Sequence, residues 1–218
     1  MKKPRICTVI VDKDLRAVRE VEALVELFEV RIDLIGEGWQ DLAKQLRKPW
    51  IACARSTEEG GSWEKDEAER IEELVAATEL GADMVDIELE TKDLDKAIPL
   101  IRKRAKCVLS FHELEQTPPL DKLKEIVQRQ LAAGADVCKV ITTAQRFEDN
   151  LTTLRLVTEL SEVKMVSFAM GPLGSTSRIL CPLVGGEFTY ASIKQGKESA
   201  PGQITVSQLR RIYEMVTQ

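Results

Sequence analysis

The chain has 218 residues, 31 of them basic and 36 acidic, with a formal net charge of -5 and 44% hydrophobic residues. That length suits one large domain or two small ones, and the composition is that of an ordinary soluble globular protein. The acidic balance argues against nucleic acid as a partner, which selects a basic face, yet local arginines can still build a pocket for a small anion.

Met1-Lys2-Lys3-Pro4 leads straight into a β-branched run, Arg5 to Val11, with no signal peptide ahead of it. Helical spacing follows over Asp14 to Leu24. Leu27 to Leu34 reads as a second strand, Trp39 to Arg47 as a helix and Trp50 to Arg55 as a third strand. After the loop Ser56-Thr57-Glu58-Glu59-Gly60-Gly61, Ser62 is placed to cap a helix over Trp63 to Leu80, which Gly81 ends. Asp83 to Leu89 is the fourth strand, and Asp93 to Arg104 is a helix that Pro99 should shorten or kink. Lys106 to His112 is the fifth strand, and a helix opened by Thr117-Pro118-Pro119 runs to Ala133. Asp136 to Thr142 is the sixth strand, with a helix over Gln145 to Leu160. Val163 to Met170 is the seventh strand, followed by a Gly-Pro turn and a short helix. Glu187 to Ser192 is the eighth, and Thr205 to Val216 closes the chain as a helix.

Strands alternating with helices imply a parallel sheet. Eight such units in one short chain imply a closed (β/α)8 barrel, a TIM barrel of the α/β class, as a single catalytic domain over 1–218. An open doubly wound sheet would carry a Gly-rich phosphate turn after the first strand, and none follows Val11. Gly81-Ala82-Asp83 and Gly134-Ala135-Asp136 are the same helix-to-strand turn used twice. The five cysteines are odd in number and form no CxxC pair, and no apolar run is long enough to span a membrane. Reduced cysteines in a cytoplasmic protein are the reading.

In such a barrel the active site lies at the C-terminal ends of the strands. The polar groups at those ends are Glu29, Arg31 and Asp33, spaced to share one strand face, then Arg55, Glu59, Asp86, Glu88, His112 and Lys139, with Met170, Arg178, Ser199 and Gln203 later in the chain. Lys139 sits inside Val137-Cys138-Lys139-Val140, an apolar strand. One reading has it snorkelling to solvent. The other has it buried, with burial and nearby positive charge lowering its pKa until it is a nucleophilic amine able to form a Schiff base. His112, the only histidine, lies on the preceding strand at the same barrel end. It could remove the C–H proton that an iminium makes acidic, with Glu59 orienting its ring. One histidine and scattered carboxylates make poor zinc ligands, so no metal is expected, although carboxylates leave magnesium open. Gly60-Gly61 and Gly185-Gly186 read as turns before they read as phosphate cradles.

Several blocks together resemble type I 3-dehydroquinate dehydratase of the shikimate pathway: Glu29-Val30-Arg31-Ile32-Asp33, Arg55 through Gly61, Asp86-Ile87-Glu88-Leu89, Ser110-Phe111-His112, Asp136 through Val140, Ser177-Arg178 and Ser199-Ala200-Pro201-Gly202-Gln203-Ile204. The resemblance covers nearly the whole chain. It implies a (β/α)8 barrel that converts 3-dehydroquinate to 3-dehydroshikimate through an imine, with no cofactor. By that resemblance Lys139 is the Schiff-base lysine, His112 the general acid/base and Glu59 the carboxylate that orients it. Arg178 and Gln203, with Ser199 beside them, would hold the substrate carboxylate. Glu29, Arg31 and Arg55 would surround the substrate hydroxyls, with Met170 and Tyr190 lining the pocket. Such enzymes are often dimers, so a homodimer is implied. The chain departs from the family in three ways. It has little sequence ahead of the first strand, so the barrel floor is expected to be more open. The serine expected near the end of strand one is missing at Thr8 and Val9. About two extra residues lie in the lid near Gly196-Lys197-Glu198. Two other functions fit the same residues: a different Schiff-base barrel such as a class I aldolase, and a barrel that binds a small acid without turnover.

Overall fold

The two Gly-Ala-Asp turns show how the sequence lays out the chain. In the computed structural model, which describes residues 3–217, Gly81 and Gly134 end their helices with φ of +93° and +99°, a conformation that suits glycine. The aspartate two residues later reaches sideways to the start of a neighbouring strand. Asp83 accepts the Trp50 N–H at 3.0 Å, and Asp136 accepts the Cys107 N–H at 2.9 Å. Glu26 does the same for Ile6 at 2.8 Å. Carboxylates at the barrel floor thus satisfy N–H groups that the ladder leaves over.

The strands are β1 (Ile6–Ile10), β2 (Leu27–Arg31), β3 (Trp50–Cys53), β4 (Met84–Glu88), β5 (Lys106–His112), β6 (Val137–Thr143), β7 (Met165–Met170) and β8 (Thr189–Ser192). The helices are α1 (Leu15–Val21), α2 (Ile32–Ile35), α3 (Trp39–Ala43), α4 (Glu67–Glu79), α5 (Leu94–Ile101), α6 (Leu120–Ala132), α7 (Asp149–Glu159), α8 (Ser175–Leu180) and α9 (Val206–Val216). All strands are parallel, in the ladder order β7-β6-β5-β4-β3-β2-β1-β8, so the predicted barrel is present. β1 pairs with both β2 and β8, through Cys7↔Leu27 and Cys7↔Tyr190. Among the described residues β7 and β8 share no ladder. A backbone bond from Glu187 N–H to Met165 O (2.8 Å) joins them at the floor, and the rings of Phe168, Phe188 and Tyr190 pack edge-on inside the seam.

Period-two alternation sends one set of side chains into the barrel and the other against the helices. The outward set of the first five strands packs with α1, α3, α4, α5 and α9. Inside, Cys7, Leu27, Ile51 and Phe188 are buried and fill the lower barrel, so the floor expected to be open is packed. Above them the inward positions turn polar.

The local departures from the predicted elements have physical causes. β2 stops at Arg31, and Asp33 lies in α2 rather than on the strand face, because the turn brings its carboxylate back onto the Arg31 guanidinium at 2.6 and 2.8 Å. The helix assigned to Trp63–Leu80 begins at Glu67. Asp66, not Ser62, caps it by accepting Ala68 N–H at 2.7 Å, and Trp63 instead bridges to Ser56 in the loop over the barrel mouth. α7 starts at Asp149, whose side chain first gathers the N–H groups of Gln145 and Arg146 (2.8 and 3.1 Å) into a turn. With Pro99 inside it, α5 ends at Ile101, before the predicted Arg104.

Replacing Asp136 by Ala orphans the Cys107 N–H at the floor, far from the polar mouth. The expected loss is about 1–2 kcal/mol of unfolding free energy in urea titration, with kcat unchanged.

Candidate active site

A cavity of about 240 Å³ opens at the C-terminal ends of the strands. That lies below the roughly 300–1,000 Å³ of pockets for drug-sized ligands, so it suits a small molecule. Lys139, His112 and Glu59; Glu29, Arg31 and Arg55; Arg178, Ser199 and Gln203; and Met170 and Tyr190 all line it, whereas Asp33, Asp86 and Glu88, also expected at the strand ends, are not among its lining residues.

β6 points Lys139 inward, level with Ser110 of β5, and the side chain does not snorkel: the residue is 5% exposed. Its Nζ donates to Asp86 Oδ2 at 2.7 Å, lies 3.5 Å from Glu29 Oε1 and stands 4.4 Å from the centre of the Tyr190 ring. The charge state of Lys139 is the opposite of the neutral amine expected from burial. Burial does push the Lys139 pKa down, but Asp86 and Glu29 outweigh it and the pKa is raised, so the resting site holds an ammonium. Arg55 sits beside it. Its Nη1 donates to Ser110 Oγ at 2.6 Å, its Nη2 pairs with Asp86 Oδ1 at 2.7 Å, and Nη1 is 3.2 Å from Glu88 Oε1. Burial raises the pKa of Asp86, but Arg55 and Lys139 reverse this and hold the carboxyl below its usual range.

His112 Nδ1 lies 2.7 Å from Glu59 Oε2. Gly61 lets the loop bring Glu59 there: a Cβ at that position would stand 2.1 Å from the Arg55 carbonyl oxygen. Burial, Arg55 and Lys139 push the His112 pKa well down. Burial, opposed by Arg55 and reinforced by Glu88 and Asp86, pushes Glu59 up to about 8. The pair therefore keeps two protons at neutral pH and one above about 8. In the one-proton state, above about pH 8, Nδ1 keeps the proton beside a carboxylate and Nε2 carries a free lone pair, so the ring is a base.

Of the charged residues that line the cavity, Arg178, on α8, is the one with no ion pair among the described residues. It is 2% exposed, its Nε and Nη2 have no hydrogen-bond partner, and its Cζ stands 4.3 Å from the centre of the Phe168 ring. Burial lowers its pKa to about 10. A buried unpaired guanidinium facing a cavity is a receptor for a planar anion. Next to it, Gln203 Oε1 accepts the Ser199 N–H at 2.8 Å. The loop bearing both leaves and rejoins the end of β8 through the Ser192–Thr205 bridge. It lies down on the turn after β7: Gly171 N–H reaches Pro201 O at 3.2 Å, and a Cβ on Gly202 would be 2.3 Å from Gly171 O. Lys194–Asp14 (3.1 Å) and Lys197–Asp12 (2.7 Å) tie this loop to the start of α1 and the loop before it.

On β1 the inward position level with Glu29 is Val9, and its other neighbour is Ser192, whose buried Oγ has no partner. Ligand atoms of Glu29, Cys53 and Asp86 lie within 4.8 Å of one another, but the Lys139 ammonium already occupies Asp86 and is the cation of that cluster. Phe168, the platform under Arg178, was not selected from sequence. Its spacing of two from Met170 on β7 is the signal that could have found it.

Residues 6–218 match the sequence model described as type I 3-dehydroquinase. A 3-dehydroquinate dehydratase of Dehalococcoides mccartyi is 44% identical over 216 residues, covering 99% of this chain and 97% of that protein. Among solved structures, 3-dehydroquinate dehydratase from Geobacillus kaustophilus superposes with a TM-score of 0.85 at 28% identity, covering 99% of this chain and 92% of that one. A type I enzyme from Clostridium difficile, solved with covalently modified comenic acid, gives 0.88 at 23% identity over 99% and 93% of the two chains, a likeness of fold.

A folded-state pKa of about 8 for Glu59, against an ordinary 4.5, means that the folded chain keeps a proton the unfolded chain has released. Stability from this group is complete below pH 4.5 and is lost as pH rises towards 8. Denaturant titrations of Glu59→Gln and the unaltered protein should therefore converge at acid pH, with the variant the more stable of the two at alkaline pH.

Proposed function

Because this chain belongs to the type I 3-dehydroquinase family and dehydrates 3-dehydroquinate to 3-dehydroshikimate, we propose that it does so through an imine on Lys139 with His112 as general acid and base. The observation that carries this reading is one enclosed lysine, 2.7 Å from Asp86, in the same small cavity as an unpartnered arginine and a histidine–glutamate pair.

The substrate carboxylate docks on the free face of Arg178, with Gln203 and Ser199 beside it. Glu29, Arg31 and Arg55 meet the ring hydroxyls, and Glu29 Oε1 has no hydrogen bond of its own to give up. Met170 and Tyr190 bound the pocket. Lys139 must first lose a proton, and the neutral His112 imidazole is the acceptor that the cavity offers. The amine then adds to the ketone, the imidazolium returns its proton to the carbinolamine hydroxyl, and loss of that group as water leaves an iminium and a neutral imidazole. The iminium withdraws electrons from the adjacent carbon, whose C–H proton passes to His112 Nε2. The electron pair forms the new C=C bond as the β-hydroxyl departs, taking a proton from the imidazolium as water. Hydrolysis of the conjugated iminium returns product and the free lysine. The iminium supplies the electron sink, so the reading asks for no cofactor and no metal. Glu59 fixes the ring through Nδ1 and balances its charge when the imidazolium forms.

On this reading the whole of 1–218 is one catalytic domain acting on a small molecule, working in the cytoplasm as a homodimer with no nucleic-acid partner. No helix of the described residues is long and apolar enough to cross a membrane.

Borohydride treatment with substrate, followed by peptide mass spectrometry, tests the covalent step. The adduct should map to Lys139, and Lys139→Met should lose both adduct and turnover; substantial activity in that variant would sink the imine. His112→Ala should trap substrate more slowly, since the acceptor of the Lys139 proton is gone, and elimination from the trapped species should stall. Arg178→Lys keeps a charge but loses the fork, so it should raise KM tenfold or more with a smaller change in kcat.

A further inference from the structure

Arg70 lies outside the cavity, on α4, and has no part in the steps above. It is 1% exposed. Its guanidinium donates to Ala54 O at 2.9 Å, to Thr91 Oγ1 at 2.9 Å, to both Glu67 oxygens at 2.7 Å and to Glu88 Oε2. Glu88 Oε1 accepts the Ser56 N–H at 2.9 Å and faces Arg55 Nη1 at 3.2 Å. Arg55 then pairs with Asp86 Oδ1, and Asp86 Oδ2 holds Lys139, each at 2.7 Å. Arg70, Glu88, Arg55, Asp86 and Lys139 form a buried line of charges alternating in sign, running from the outer helix to the lysine.

Resting on the imine at Lys139, we propose that Arg70 is a positioning residue: by holding Glu88 it leaves Arg55 on Asp86, and so limits how tightly Asp86 grips the Lys139 ammonium. The argument is electrostatic competition. Asp86 is shared between two cations at equal distance. Without Arg70 the charge of Glu88 is answered by Arg55 alone. Arg55 is then drawn towards Glu88 and away from Asp86, and Asp86 is left to Lys139. The uncancelled charge of Glu88 acts in the same direction. Both effects hold the proton on the lysine, which must leave before the amine can attack. The other groups facing Lys139 stay as they are: Glu29 from β2, Cys53 from β3, His112 from β5 and the Tyr190 ring from β8. A purely structural Arg70, fastening α4 to Ala54 and Thr91, would affect stability and leave the pH dependence of the reaction alone.

The test compares Arg70→Met and Arg70→Lys with the unaltered enzyme. The readouts are the pH profile of kcat/KM and the pH dependence of borohydride trapping at Lys139, with folding checked by circular dichroism. In Arg70→Met the acid limb of both profiles should move up by about one pH unit, which is roughly tenfold at a fixed pH on that limb. Arg70→Lys keeps the charge but cannot reach all four partners, so it should move the same way by less. Folded variants whose limb is unchanged, or moves to lower pH, overturn the role of Arg70 alone. If Arg70→Met does not fold, Arg70→Lys is judged by the same rule. An unaltered enzyme that turns over with no trappable adduct overturns the imine, and this proposal with it.

Discussion

The site turns on the carboxylate of Asp86, which is closed off from water and held between two cations. One oxygen meets Arg55 and the other meets Lys139. Isolated, a carboxylate there would take up a proton and an ammonium there would lose one. Together they keep each other charged. The fold provides this by register, since β4, β5 and β6 bring Asp86, Ser110 and Lys139 to adjacent levels of one barrel wall, and Arg55 follows just beyond the end of β3. Moving any of those strands by one residue would turn its polar group onto the helices.

The wall around Asp86 balances itself. Lys139, Arg55 and Arg70 answer Asp86, Glu29 and Glu88, and Arg31 answers Asp33. Arg178 is the exception, with no carboxylate within reach and an aromatic ring as its support. A site arranged this way exerts most of its pull on an anion at one point.

Much of this was legible in the chain. The alternating elements gave the barrel, and polar residues at the strand ends gave the walls of the cavity. What could not be read was charge state. Apolar neighbours of Lys139 reveal that it is buried, and burial alone argues for a neutral amine. The carboxylate that keeps the lysine charged stands 53 positions away and arrives only through the sheet. Asp33 misled for the opposite reason. Its spacing fits a strand, but two residues are also the reach of a side chain turning back onto Arg31. The loop over the mouth hid the start of α4, since tertiary contacts, not capping preference, hold Ser62 and Trp63 there.

The seam between β7 and β8 has a consequence of its own. A ring of strands joined on all sides but one resembles a clasped bracelet. Here α8 lies across the gap, packed on both β7 and β8 and carrying Arg178. An anion bridging Arg178 and Gln203 would join the two lips, since one residue follows β7 and the other follows β8. The ligand then serves as the clasp. Occupancy and closure of the ring become a single equilibrium, and a filled protein resists heat better than an empty one by the free energy of that bridging.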